Sequence, residues 1–375
     1  MNKSLNSLGL MSGTSGDGVD ASVVNSDGKG YYKVLINKYF KYSDEISQNI
    51  YKLKRNINNI DDVKIFSTEI NDLERKITLF HSNVVSEFTK KKDFGIDLIG
   101  FHGQTILHSP KNKYSKQLGD GNLLSQLSKK KVIFNFRQND LFQGGEGAPL
   151  SPIFHQLIVK EKKIDLPVCI LNIGGISNLT LIKDFKQESL ISKDIGPGNC
   201  LIDEWIRRNK KGNYDRNGEY ASQGITNKLI LDQALDDFEN IPANDLNSFD
   251  INDFEINFLR GLDLEDGAST ITDFSSKIIA SNLIKIISKH NQNISRIILC
   301  GGGRKNKTLI ERIKRDSHNK LKFETTDDYK VDGDFVESQA FAFLAIRSFY
   351  KLPISFPNTT GCKLPSTGGV LVKNF

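Results

Sequence analysis

Hydrophobic positions follow two rhythms along this chain. Short apolar runs bounded by glycine predict buried strands, and apolar residues three and four apart predict amphipathic helices. Residues 63–88 carry the helical spacing, and 96–104 follow as a strand running into a loop. Residues 131–137 read as a strand, and the turn-rich 143–152 leads into a helix. Residues 167–183 read as strand, glycine turn, strand. A helix is predicted at 200–209, with Leu201, Ile202, Trp205 and Ile206 on one face. The clearest amphipathic helix spans 269–290, where Thr270 and Asp273 suit a capping box. Residues 296–314 read as strand, glycine turn, helix, and 334–350 as a buried helix. The chain is therefore α/β, with its glycine clusters where strands end.

Composition narrows the class. The 375 residues are 38% hydrophobic and 26% charged, which is enough apolar material for two cores. The net charge of +6 is spread widely, and the lysine clusters at 90–92 and 129–131 are too short for a nucleic-acid stripe. No apolar run is long enough for a membrane span, and the first residues lack the apolar core of a signal peptide. Cys169, Cys200, Cys300 and Cys362 lie far apart, which argues against zinc and against a disulfide framework. The expected location is the cytoplasm, with no nucleic-acid or membrane partner.

The candidate chemistry sits in the glycine-rich turns. In residues 9–24, an apolar run enters, a Gly/Ser/Thr/Asp turn follows, and an apolar run leaves. Taken alone this is a hairpin. Its density of donors suggests more: Ser12, Thr14 and Ser15 offer hydroxyls, and Gly13, Gly16 and Gly18 let backbone N–H groups approach an anion. Asp17 and Asp20 suit a magnesium-bound phosphate, with Asp17 the candidate metal ligand, directly or through water. Neither a P-loop nor a dinucleotide fingerprint is present. Gly174-Gly175 can present backbone amides in a second turn. Asp194 closes a strand beside a helix that Asn199 can cap, and it reads either as a turn-orienting group or as a general base. Gly301, Gly302 and Gly303 suit a turn under adenine or ribose. His102, Gln104 and His108 share a turn-like segment and favour polar substrate contacts over metal. Arg137 suits a carboxylate ligand or an ion pair. Glu337 starts an apolar helix, as a helix N-terminal charge or facing a cleft.

Seven of these stretches, in order over nearly the whole chain, resemble the anhydro-N-acetylmuramic acid kinases. They are GLMSGTSGDGVD, GFHGQTILHSP, NFRQNDLFQGGEGAPLSP, LNIGGISNLT, DIGPGNCLIDEW, CGGGRKNKTLI and ESQAFAFLA. The resemblance implies the actin-like, sugar-kinase and Hsp70-type ATPase fold, two RNase H-like domains flanking a nucleotide cleft. The domains expected are 1–135 with 352–375, holding the phosphate-binding hairpin, and 136–351, holding the catalytic Asp and the adenosine turn. It implies ATP and Mg2+ as cofactors, 1,6-anhydro-N-acetylmuramic acid as substrate, a role in peptidoglycan recycling, and a homodimer. Residues Gly13 to Asp20, with Val19 among them, match the ATP segment. Asp194 matches the catalytic base, and Glu337 the carboxylate that holds the attacking water. Arg137 and the His102–Gln104 segment match sugar contacts. Two positions depart: Gly16 stands where the family usually has a bulkier apolar residue, so a looser loop is expected, and Glu146 stands where Gln is commoner. Two other readings share the fold, a kinase of another amino-sugar hydroxyl and a non-catalytic ATP-driven switch.

Overall fold

A computed structural model describes residues 3–90, 94–239, 254–290, 294–318 and 321–375. The chain forms two compact units. The first comprises Met1–Ile164, Phe185–Leu190 and Asp334–Phe375, and the second Asp165–Asp184 and Ile191–Gly333.

In the first unit, β1 (Leu5–Ser12), β2 (Gly18–Ser26) and β3 (Tyr32–Lys41) form an antiparallel meander. β4 (Leu98–Ser109) runs parallel to β1 and pairs on one margin with β5 (Tyr114–Leu118). β6 (Lys131–Phe134) runs parallel to β4, and the short β12 (Val370–Val372) closes that edge. In the second unit, β7 (Val168–Ile173), β8 (Ile176–Ile182) and β9 (Ile191–Pro197) form the meander. β10 (Arg296–Cys300) runs parallel to β7, and β11 (Lys322–Thr325) parallel to β10. The orders β3-β2-β1-β4-β6 and β9-β8-β7-β10-β11 are the same design used twice. That is the RNase H-like order, expected from the resemblance. β7 is buried at every residue, as a central strand covered on both faces must be.

The unit boundaries differ from the expected ones. Residues 136–164, 185–190 and 334–351 lie in the first unit. For 334–351 the reason is packing at two glycines. The Val336–Phe349 helix lies so close on β1 and β4 that a Cβ at Gly9 would sit 1.9 Å from the Ser338 carbonyl oxygen. One at Gly100 would sit 2.3 Å from that of Phe341.

Several elements also differ in detail. The 63–88 helix is two, Ile60–Ile65 and Ser67–Thr89, the first started by an Asn59/Asp62 capping box. The 269–290 helix begins earlier, at Leu264, where the Asp263 side chain accepts from the Asp266 amide. Thr270 instead bonds the Asp266 carbonyl, and Asp273 pairs with Arg312 and Arg315. The strand expected at 131–137 stops at Phe134 because Asn135 takes φ +56°. His102, Gln104 and His108 lie on β4, a twelve-residue strand, and not on a turn.

Among the described residues, no helix is long and apolar enough to cross a membrane. All four cysteines are buried and free.

Candidate active site

The β1–β2 turn keeps its donors outward. Thr14, Ser15 and Asp17 are exposed, and Gly13 is half-buried. Gly16 takes φ +65°, closes the turn with its amide on the Gly13 carbonyl at 3.2 Å, and packs against Ile50. A Cβ there would meet Ile50 Cγ2 at 2.8 Å, so this glycine fixes the loop's shape instead of loosening it. The Ser15 hydroxyl donates to Asp17 Oδ1 at 2.5 Å. Gly18, Val19 and Asp20 belong to β2; Val19 points into the core, and Asp20 pairs with Met11. Asp17 therefore offers a single exposed carboxylate. Among the described residues, no group of three His, Cys, Asp or Glu is placed to hold a metal.

β4 and β6 bring His102 and Arg137 together. His102 donates from Nδ1 to its neighbour Gly103's carbonyl at 2.8 Å, and its Nε2 accepts from Arg137 Nη2 at 3.0 Å. Burial, then the nearby guanidinium, hold the imidazole pKa well below the usual range, so it stays neutral. Arg137 Nη1 donates to the Gly147 carbonyl at 2.7 Å. The Gly147 amide donates to Asp140 Oδ2, and the Thr360 hydroxyl to Asp140 Oδ1, each at 2.7 Å. Besides His102, the guanidinium is thus set by residues that sequence reading did not single out. Asp140 and Thr360 are 220 positions apart, and no local pattern links them. Gln104 does not join this group: its amide donates to the Gly13 carbonyl at 3.0 Å. Glu337 lies in the first turn of the Val336–Phe349 helix. One turn on, the Phe341 ring lies against His102, with centroids 4.5 Å apart.

In the second unit, Asp194 sits on β9 opposite Asn178 and is 7% exposed. Ser177 pairs with Gly196 and Asn178 with Asp194, so Ile195 is the extra residue of a bulge that re-aims the strand just after the carboxylate. The Gly174 carbonyl accepts from the Asn199 amide, and that of Gly175 from the Gly198 and Cys200 amides. These bonds tie the glycine turn to the start of the Cys200–Arg208 helix. Asn199 occupies the N-cap position, but its side chain makes no capping bond. Gly301 takes φ +79°, and a turn at 302–305 leads to Asn306, which caps the Lys307–Asp316 helix. Arg304 grips this turn. It donates to both carboxylate oxygens of Asp327 at 2.6 and 3.1 Å, and to the Gly301 carbonyl at 3.0 Å.

The glycines separate into two kinds. Gly16, Gly198, Gly301 and Gly303 are required by the fold, because a Cβ at each would strike another part of the protein within 3 Å. Gly13, Gly174 and Gly302 are not: a Cβ at Gly13 would meet nothing nearer than 3.9 Å, at Gly174 nothing nearer than 3.4 Å, and at Gly302 nothing within 4 Å. Open space in front of bare backbone is what a ligand lying on that backbone needs, so each of these turns, taken by itself, leaves room for one.

The sequence profile of anhydro-N-acetylmuramic acid kinases matches residues 6–374. The protein of that name from Pelagibacter ubique (strain HTCC1062) is 53% identical over 375 residues, covering all of both chains. The one from Zymomonas mobilis is 37% identical over 372 residues, covering 96% of this chain and 98% of that one. Among solved structures, a ROK family glucokinase from Streptomyces griseus in complex with glucose and AMPPNP shares 10% identity at a TM-score of 0.42, covering 91% of this chain and 99% of that one.

Proposed function

Because this chain belongs to the anhydro-N-acetylmuramic acid kinase family, we propose how its residues divide the work of that activity. The enzyme is a phosphotransferase that opens 1,6-anhydro-N-acetylmuramic acid with water. It leaves N-acetylmuramic acid 6-phosphate and ADP, in peptidoglycan recycling. The full-length family match carries this reading; the residue roles rest on the motifs and on the geometry around them.

Asp194 is the base. It takes one proton from water as the water oxygen bonds to C1 and the C1–O6 bond breaks. Glu337 orients that water. A glycosidase would need a second carboxyl group to protonate the departing oxygen. Here O6 becomes the phosphoryl acceptor, so one base suffices. ATP with Mg2+ supplies the phosphoryl group and neutralises its charge. The Gly13–Asp20 hairpin holds the phosphates through backbone amides, with Asp17 toward the metal, and Gly174, Gly175 and Gly301–Gly303 hold the rest of the nucleotide. Arg137, kept in place by His102 and the Gly147 carbonyl, meets the sugar. The need for ATP places the reaction in the cytoplasm, and the resemblance favours a homodimer, which sedimentation tests.

Replacing Asp194 tests the assignment. Asp194→Asn keeps shape and removes the base, so turnover falls on the order of 10³-fold while AMPPNP affinity stays within about twofold. Retention of a tenth of wild-type turnover overturns it.

A further inference from the structure

We infer that Gln104 and Lys54 are positioning residues of the Gly13–Asp17 loop: they set which way its amides point. The inference rests on the reading of that loop as the phosphate site. Gln104 is fully buried on β4, and its Nε2 donates to the Gly13 carbonyl at 3.0 Å and more weakly to its neighbour Thr105's at 3.4 Å. Both partners are acceptors, so the amide nitrogen must face them. Its Oε1 is buried with no hydrogen-bond partner. An unpaired buried acceptor is destabilising, and an apolar residue of the same shape would avoid it. What Gln104 adds in return is its grip on the loop.

Lys54 comes from a different element. On the Asp44–Asn56 helix, Ile50 and Lys54 share one face. Ile50 fills the space beside Gly16, and Lys54 Nζ donates to the Thr14 carbonyl at 2.7 Å. At the far end of the loop, the Tyr42 amide and the Tyr39 hydroxyl hold the Asp17 carbonyl at 2.9 and 3.1 Å.

The consequence follows from peptide geometry. The loop peptides are trans, and in a trans peptide the carbonyl and the next N–H point in opposite directions. With the Gly13 carbonyl turned to Gln104, the Thr14 N–H faces away from β4. With the Thr14 carbonyl turned to Lys54, the Ser15 N–H faces away from the helix. Two successive donors are thereby fixed before any anion arrives, and a preorganised donor loses no reorganisation energy on binding. The resemblance casts Gln104 as a sugar contact; its bonds place it behind the nucleotide loop.

The test is calorimetry on the full chain with AMPPNP·Mg2+ and, separately, adenosine. Gln104→Met and Lys54→Met should each weaken AMPPNP about tenfold and leave adenosine within about twofold, and Lys54→Arg should restore AMPPNP binding. Ser15→Asp, which adds a carboxylate to the exposed loop, should also weaken AMPPNP. Equal losses for AMPPNP and adenosine would mean general loosening and would overturn the proposal. If Ser15→Asp weakens AMPPNP while Gln104→Met and Lys54→Met stay within twofold, the proposal falls and the phosphate reading stands. If Ser15→Asp has no effect, the phosphate reading itself fails, and the proposal with it.

Discussion

Adding one methyl group at Gly9 should damage both stability and catalysis. Gly9 on β1 and Gly100 on β4 are paired neighbours, and the Val336–Phe349 helix lies directly on them. In Gly9→Ala the new Cβ would stand 1.9 Å from the Ser338 carbonyl oxygen and 2.5 Å from the Ala342 amide nitrogen. Both are backbone atoms, so no side chain can rotate away. The helix would have to retreat by roughly 1.5 Å for ordinary van der Waals separation. Cores resist such shifts, and overpacking of this kind costs about 3 kcal/mol. For units of this size that lowers the thermal midpoint by roughly 6–12 °C. Glu337 immediately precedes Ser338 on the displaced turn. A misplacement of about 1 Å at a catalytic group costs on the order of 10²-fold in rate. The assay is differential scanning calorimetry of the full chain, followed by ADP release well below the new midpoint. A midpoint within about 2 °C of wild type and a rate within about twofold would refute the packing argument.

Acid should destabilise the first unit well before its carboxylates titrate. Burial holds the pKa of His81 down to about 4, those of His108 and His155 to about 3, and His102 well below its usual value. In the unfolded chain these side chains bind protons near pH 6.5. Their contribution is therefore complete above that pH and lost as pH falls toward 3, at about 1.4 kcal/mol per pH unit for each group. A thermal midpoint that stays flat from pH 7 to about pH 4.5 would contradict this. In the second unit, Arg304→Met frees the Gly301–Gly303 turn from Asp327. Solvent screens Asp327, so about 1–2 kcal/mol of stability is lost. Adenosine affinity should fall on the order of fivefold; unchanged affinity in calorimetry would show that Arg304 does not shape the nucleotide turn.

The alternation of strands and helices was legible because apolar runs and helical spacing are local signals. The failures have local or tertiary causes. Gly103 looks like a turn residue, yet it allows close pairing: a Cβ there would meet the Leu118 carbonyl oxygen of β5 at 2.4 Å. The segment around it therefore reads as a loop when it is the middle of β4. Thr270 and Asp273 mimic a helix start because Asp273 serves two arginines of a neighbouring helix, which spacing cannot reveal. The 334–350 helix was recognised, but its place on Gly9 and Gly100 depends on contacts more than 200 residues apart in sequence. At the candidate site, the glycine turns, Asp194, Arg137 and Glu337 stood out by residue type. Lys54, Asp140 and Thr360 did not, because each acts through a backbone group or a side chain that only the fold brings near.

The most direct test of the central claim is ADP release by the purified chain with 1,6-anhydro-N-acetylmuramic acid and with free N-acetylmuramic acid under the same conditions. The account predicts rapid ADP release with the anhydro sugar, matched one for one by N-acetylmuramic acid 6-phosphate, and only background release with the free sugar. Equal or faster release with free N-acetylmuramic acid would contradict it.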